Sequence, residues 1–152
     1  MIDNTDLEII EELKKDGRAS YSEIADKLDL ATSTVTARVQ KLKDENILTG
    51  FKPVIDYEKL GFELASMLAI TAESDKTIEV AETLKNHGKV ISFFEVTGKT
   101  DMMIITRFKD RKDMNKFIKS LQKIEGIKST ETHVILTKPK LEDNMDIEEI
   151  VE

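Results

Sequence analysis

Two short amphipathic helices joined by a tight turn, within residues 20–51, constrain this chain more than any other feature. Ser20 and Glu23 have the spacing of a capping box, which predicts that a helix begins directly after Ser20. Residues 29–31 form the turn, where an aspartate tolerates the left-handed backbone that is needed. A second helix is predicted over 32–43, with apolar residues at spacings of four and three: Val35, Val39 and Leu42. This pattern indicates a helix-turn-helix.

The outer face of the second helix carries hydroxyl groups and cations. No acidic residue lies between positions 30 and 43, although the chain has 30 acidic and 23 basic residues. Hydroxyl groups can contact base edges or phosphates, and cations neutralise phosphate charge. We therefore predict that double-stranded DNA binds this face, through Thr32, Ser33, Thr34, Thr36, Arg38, Gln40 and Lys41. A solvated helix in an ordinary helical bundle is the alternative.

Different contacts are expected from different side chains of this helix. Ser33 and Thr36 lie about one turn apart, and we predict that they contact base edges. Arg38 and Lys41 are predicted to bind phosphate. For Arg38 an ion pair with an acid of the first helix is an equally strong alternative.

Two segments flank the helix-turn-helix. Residues 3–15 are predicted to form a helix capped by Asp3. Its inward residues have helical spacing: Leu7, Ile9, Ile10 and Leu13. Residues 47–57 are predicted as a wing and exit strand, where Pro53 keeps the strand at an edge and Lys52 contacts phosphate. This organisation gives a winged helix-turn-helix domain at 1–51, then an exit strand and linker at 52–61.

The second half of the chain has the order βαββαβ. Strands are predicted at 64–72, 90–96, 102–108 and 128–137, and helices at 77–87 and 111–124. The residues predicted to face inward from these helices are Ile78, Ala81, Leu84, Met114, Phe117, Ile118 and Leu121. The order indicates an α+β fold with a ferredoxin-like sandwich at 62–138. The sheet face without helices still carries apolar residues, which predicts a homodimer interface.

Residues 3–51 resemble the DNA-binding half of the Lrp/AsnC (feast/famine, leucine-responsive) transcription regulators. The matching positions are Asp3, Asp6, Gly17, Arg18, Ser22, Glu23, Ile24, Ala25, Ser33, Thr34, Val35, Arg38, Leu42, Ile47, Gly50 and Phe51. Asp29 and Asn46 stand where glycine is usual, and both tolerate a left-handed backbone. Ala31 replaces the usual capping serine, so Thr32 is the candidate to cap the helix instead.

The resemblance extends to a turn at 98–101, which in this family lines a pocket between dimers for a free amino acid or similar metabolite. Its turn amides and Lys99 suit a carboxylate, and Asp101 suits an ammonium group. The predicted effector-binding residues are Gly98, Lys99, Thr100, Asp101, Thr130 and Thr132. Thr100 replaces an aromatic residue common in that turn. The alternatives are a plain hairpin turn and a regulator without an effector.

The resemblance implies a sequence-specific regulator that assembles as a homodimer, an octamer or another assembly of dimers. A small-molecule-binding or enzymatic oligomer whose helix-turn-helix serves assembly is the competing class. We expect no enzyme activity, cofactor or metal, because cysteine is absent and the two histidines, His87 and His133, lack ligand-spaced partners. Residues 98–100 mimic the end of a phosphate-binding loop, but Phe93 stands where that loop requires glycine.

Neither a signal peptide nor a membrane span is recognisable, so a cytoplasmic protein without a membrane partner is expected. The net charge of −7 is concentrated in residues 139–152, which hold six acidic residues. We interpret this acidic tail as a frayed, solvated end, with a short amphipathic helix that docks on a neighbouring subunit or repels stray DNA as the alternative.

Overall fold

The computed structural model describes residues 2–137. They divide into two compact units, with the boundary between Val54 and Ile55. The acidic tail at 139–152 lies outside the described residues. None of the helices within 2–137 combines the length and hydropathy that a bilayer crossing needs.

Three helices make up the first unit: α1 (Asn4–Lys15), α2 (Tyr21–Leu28) and α3 (Thr32–Asp44). Both predicted N-terminal caps are confirmed. The Asp3 carboxylate accepts from the Asp6 N–H at the start of α1, and the Ser20 hydroxyl accepts from the Glu23 N–H at the start of α2. Each motif is a complete capping box, in which the second side chain accepts from the backbone N–H of the cap residue.

The backbone is left-handed at both positions where this sequence has Asp or Asn in place of the glycine usual in the Lrp/AsnC regulators. Asp29 has φ 54° and ends α2, and Asn46 has φ 56° just beyond α3. The cap of α3 is Ala31, which has no side-chain hydrogen bond to offer. The prediction that Thr32 caps this helix is wrong, because the Asp29 turn already leaves Ala31 as the last extended residue and places Thr32 inside the helix.

The core of the first unit is formed by aliphatic side chains from all three helices: Ile9, Leu13, Ile24, Ala25, Val35 and Val39. Ile10 was predicted to face inward with Ile9, but it is only half-buried. The 3.6-residue repeat allows one of two adjacent positions to point at the core, and Ile9 takes it with 0% exposure.

The strand predicted within residues 47–57 is wrong. No strand lies between α3 and Leu64 among the described residues, and residues 49–56 have no regular secondary structure. A strand needs a partner for its backbone N–H and C=O groups, and the described part of the first unit contains no second strand. Pro53 removes one of those N–H groups as well. Lys52 is exposed in this segment.

The second unit has the predicted βαββαβ order. Its elements are β1 (Leu64–Ala72), α4 (Thr77–Lys85), β2 (Val90–Glu95), β3 (Met102–Phe108), α5 (Arg111–Leu121) and β4 (Ile127–Val134). The strands form one antiparallel sheet in the order β2-β3-β1-β4. This is the ferredoxin-like arrangement. Both helices end two or three residues before their predicted ends, at 85 and 121.

One face of the sheet packs against α4 and α5. The central strands contribute Leu68, Ile70, Met102, Ile104 and Phe108 to this core, and the helices contribute Val80, Ala81, Leu84, Phe117 and Leu121. Met114 and Ile118 pack against it while partly buried, as predicted. Ile78 was predicted to face inward and does not, since its side chain is 80% exposed and Val80 fills the core position.

The opposite sheet face carries no helix and presents an apolar row. Phe94, Met103 and Ala69 lie directly across from one another on β2, β3 and β1. Ile105 and Met67 form the next row. We call these five residues the open sheet face. The prediction that this face is apolar is confirmed.

Candidate nucleic-acid interface

The exposed side of α3 presents the predicted hydroxyl and amide groups. Ser33, Thr36 and Gln40 are exposed, whereas Thr34 is half-buried. The Thr36 hydroxyl donates to the Thr32 carbonyl at 2.8 Å, so its oxygen retains acceptor capacity toward a partner. The Gln40 amide donates to the Asp44 carboxylate at 2.8 Å, which holds that side chain along the helix.

A four-residue charge network joins α3 to the start of α1. Arg38 Nη1 donates to both Asp3 oxygens, at 2.6 and 2.7 Å, and to Asp6 Oδ1 at 2.9 Å. Lys41 Nζ donates to Asp6 Oδ2 at 3.0 Å. Arg38 therefore makes the ion pair with acids at the first helix that the sequence offered as the alternative to a phosphate contact. The pairing of Lys41 with Asp6 is a contact that the sequence analysis missed.

Exposure differs sharply between the two acids of this network. The Asp6 side chain is 0% exposed, whereas that of Asp3 is 53% exposed. The hydrogen bond from Arg38, with that from the Asp6 N–H, lowers the pKa of Asp3. Burial alone would raise the pKa of Asp6, but hydrogen bonds from Lys41 and Arg38 outweigh it and lower that pKa. Both carboxyl groups are thus held in the charged form.

A shallow depression on the surface of the first unit brings several of the predicted residues together. Its lining consists of Asp3, Ser33, Thr34, Ala37, Arg38 and Lys41. Two hydroxyl groups and two cations facing one concave surface suit a phosphate oxygen or a base edge. Ala37 was not predicted, and a small residue one turn after Ser33 is the sequence signal that marks this concavity.

The predicted effector turn is tied to the end of β1. Gly98 has φ 121°, the positive value that a non-glycine residue avoids at this turn. The Asp101 N–H donates to the Ile70 carbonyl at 3.0 Å, and Asp101 Oδ2 accepts from the Ala72 N–H at 2.8 Å. Lys99 is exposed and Thr100 half-buried.

The two predicted threonines of β4 lie beside the same strand. Thr130 pairs with Ile70 and Thr132 with Leu68. Asp101, directly before β3, and Thr130, on β4, therefore lie on opposite sides of Ile70 in the sheet. The structure brings Thr130 to the end of β1 where the turn is attached, and places Thr132 two residues further along the sheet.

The histidines have ordinary surroundings in the second unit. His87 Nδ1 accepts from the Lys89 N–H at 3.1 Å and its ring packs edge-on against Phe117. His133 lies 3.5 Å from a Glu131 oxygen. Within residues 2–137, no group of three or more potential ligand side chains has the arrangement of a metal site.

Comparison with known protein families assigns both halves of the chain. Residues 2–49 match a family model described as a winged helix-turn-helix DNA-binding domain, and residues 66–145 match the Lrp/AsnC ligand binding domain. The chain belongs to the Lrp/AsnC family. It is a DNA-binding transcriptional regulator and not an enzyme.

Relatives and solved structures of Lrp/AsnC type match over nearly the whole chain. An uncharacterized HTH-type transcriptional regulator of Pyrococcus abyssi is 38% identical over 136 residues, which are 90% of this chain and 92% of the relative. The regulator FL11 of Pyrococcus furiosus is 32% identical over 136 residues and 90% of each chain.

Among solved structures, E. coli AsnC superimposes with a TM-score of 0.86 at 26% identity, covering 93% of this chain and 96% of AsnC. A Neisseria meningitidis regulator, solved in complex with L-Met, has a TM-score of 0.93 at 21% identity over 99% of this chain and 100% of its own. At that identity the second likeness concerns the fold alone.

Proposed function

We propose that this regulator binds operator DNA with the exposed face of α3 and does so as a homodimer. The observation that supports it is the depression on α3, where two hydroxyl groups and two cations face one surface. A dimer would present two such helices to half-sites about 34–36 Å apart or a multiple of that distance. A regulator of this kind acts where the DNA is, so we place it in the cytoplasm.

Within α3, we assign base contacts to Ser33 and Thr36 and phosphate contacts to Arg38 and Lys41. Ser33 and Thr36 are exposed on the same face. Arg38 and Lys41 keep 29% and 37% of their side chains exposed, although both are bonded to acids of α1. Gln40, Thr32, Thr34 and Lys52 are further candidates for contacts that position the protein on the duplex.

A band-shift experiment with fragments of the protein's own promoter region tests this assignment. Lys41→Ala should weaken binding to all sequences. The slope of log K against log salt concentration should become shallower by about one, since one phosphate contact is lost. Ser33→Ala and Thr36→Ala should instead change which sequence is preferred. Lys14→Ala on α1 is the control for a charge change alone. Absence of salt-sensitive, selective binding by the wild type would contradict the proposal.

The dimer is assigned to the open sheet face, because a contiguous apolar surface is a common protein interface. Assembly of these dimers into an octamer or another oligomer is an extension of the same proposal. The two-fold symmetry of such a dimer matches the symmetry of a palindromic operator.

An amino acid is the proposed effector, bound at the turn formed by Gly98, Lys99, Thr100 and Asp101 with Thr130 and Thr132 nearby. The exposed Lys99 can pair with a carboxylate. Asp101 uses one carboxylate oxygen for Ala72, which leaves its charge available to an ammonium group. The fold shared with a regulator solved with L-Met supports the same ligand class.

Calorimetric titration with the twenty amino acids tests the effector proposal. Asp101→Asn is the informative variant, because the amide oxygen can still accept from the Ala72 N–H while the charge is lost. Binding should weaken at least tenfold in this variant, in line with the strength of a charge-assisted hydrogen bond. Unchanged binding would place the site elsewhere, and no binding by the wild type would favour an effector-independent regulator.

A further inference from the structure

The depression on α3 contains one acidic side chain at its rim, that of Asp3. A carboxylate on a surface that binds DNA opposes the phosphate charge. Asp3 nevertheless occupies the side of Arg38 that a partner on this surface would contact. This makes the position of Asp3 informative about how DNA binding begins.

The Asp3 carboxylate engages Arg38 much as a phosphate would. Both of its oxygens accept from Arg38 Nη1, at 2.6 and 2.7 Å. Guanidinium groups bind carboxylates and phosphates with the same planar donors, so the two anions compete for one site. The Asp3 side chain is also 53% exposed, so this ion pair is open to a DNA phosphate that approaches Arg38.

Asp6 cannot be exchanged in the same way. Its side chain is 0% exposed and accepts from both Arg38 and Lys41. Removing the cations would leave a buried charge without a partner, which is costly. Asp3 can release Arg38 at little cost, because exposed ion pairs contribute little to stability and the carboxylate can keep its cap bond from the Asp6 N–H. The network thus has one fixed anion and one exchangeable anion.

We propose that Asp3 is a built-in competitor of DNA phosphate on Arg38. On binding, a phosphate takes the place of the Asp3 carboxylate, while Asp6 keeps hold of Arg38 and Lys41. The acid lowers the affinity for every duplex, and it is a positioning and affinity-setting residue rather than a base-reading one. This inference rests on the proposed DNA contact of α3.

The test compares Asp3→Asn with Glu12→Gln in the full chain. Asparagine is as good a helix cap as aspartate, so the first change removes the charge and keeps the cap. Glu12 is the control, because it is likewise an ion-paired acid of the α1 region, bonded to Lys15 and Lys27 at 2.6 and 2.8 Å. Binding to a promoter fragment and to a random duplex of equal length is measured by fluorescence anisotropy at several salt concentrations.

For Asp3→Asn we expect about tenfold tighter binding to both duplexes near 0.1 M salt, and a salt dependence steeper by about one unit. Glu12→Gln should change affinity less than about twofold, since Glu12 does not line the depression and salt screens charges at a distance. The ratio of affinities for the two duplexes should stay the same in both variants.

Equal gains in the two variants would overturn this proposal and leave the proposed function standing, because general charge would then explain both. Weaker binding by Asp3→Asn, with an unchanged melting temperature, would show that Asp3 supports the contact and would also overturn it. Absence of DNA binding in the wild type and both variants would contradict the proposed function itself.

Discussion

At the scale of single residues, the buried carboxylate of Asp6 has a structural importance that its exposed neighbour lacks. It accepts from the Asp3 N–H as part of the capping box, and from Arg38 and Lys41 on α3. The ion pairs with Arg38 and Lys41 require the ionised form. The side chain therefore ties α3 to α1 through charge, beside the aliphatic core of the unit.

Asp6→Asn is expected to destabilise the first unit by about 3 kcal/mol at neutral pH, because two cations then face a neutral amide. The pKa of Asp6 is lower in the folded protein than in the unfolded chain. Its contribution is therefore complete above about pH 4, the unfolded value, and disappears as the pH falls through the lower folded value. The stability difference between wild type and variant should shrink accordingly on acidification.

Hydrogen exchange of the slowest amides in the first unit measures this difference for that unit alone. Asp26→Asn is the control, since Asp26 is exposed on α2 and its substitution should cost less than about 0.5 kcal/mol. A loss in Asp6→Asn no larger than in this control would show that the network adds nothing to stability.

At the scale of secondary structure elements, α3 begins without a side-chain cap. Ala31 occupies the cap position and has no side-chain acceptor for the first-turn amides. Ala31→Ser should therefore stabilise α3 by about 1 kcal/mol. Slower hydrogen exchange in the first two turns of α3 is the expected readout. Ala37→Ser makes the same chemical change in the helix interior, where no gain is expected. A stabilisation shared by both variants would contradict the capping argument.

The elements that were predicted from sequence are those set by local interactions. The cap at Asp3, the capping box at Ser20 and the left-handed Asp29 involve residues close in the chain, and all three occur. The wing strand at 47–57 depends on a partner strand, which sequence periodicity cannot supply. Ile78 was misplaced because Ile78 lies three residues before Ala81 and Val80 four residues before Leu84, both helical spacings, and the packing selects Val80.

In the candidate site, too, features of a single helix were predicted and contacts between distant residues were not. The hydroxyl groups of α3 were predicted because a single helix presents them. The pairing of Lys41 with Asp6 joins residues that are 35 positions apart, so it emerges only when α1 and α3 pack together. At the predicted effector turn, the hydrogen bond from the Ala72 N–H to Asp101 likewise depends on the sheet register, which the sequence pattern alone did not provide.

At the scale of the whole molecule, the open sheet face is an apolar surface of the second unit that no helix covers. Its first row places Phe94 beside Met103 and Ala69, with Glu131 on the outer strand. The Phe94 side chain is 51% exposed, an unusual position for a large aromatic residue. Aromatic side chains of this kind commonly anchor interfaces.

Phe94→Lys should convert the dimer to monomer, because burying an unpaired ammonium group at an interface is costly. The unit itself should remain folded, since Phe94 is half exposed in the single chain. We expect the dimer dissociation constant to rise by at least about 100-fold, the effect of losing an anchor worth roughly 3 kcal/mol. Sedimentation velocity of the full chain over a range of concentrations measures this change.

Ile78→Lys provides the matched control for the dimer measurement. Ile78 is 80% exposed on α4, and that helix covers the other side of the sheet. The same apolar-to-cation change there should leave the dimer intact, although contacts between dimers can respond to it. A Phe94→Lys protein that sediments as a dimer with wild-type affinity would remove the open sheet face as the dimer interface. If Ile78→Lys alone produced monomers, the interface would lie on the helical side of the sheet, and the dimer would be formed through α4.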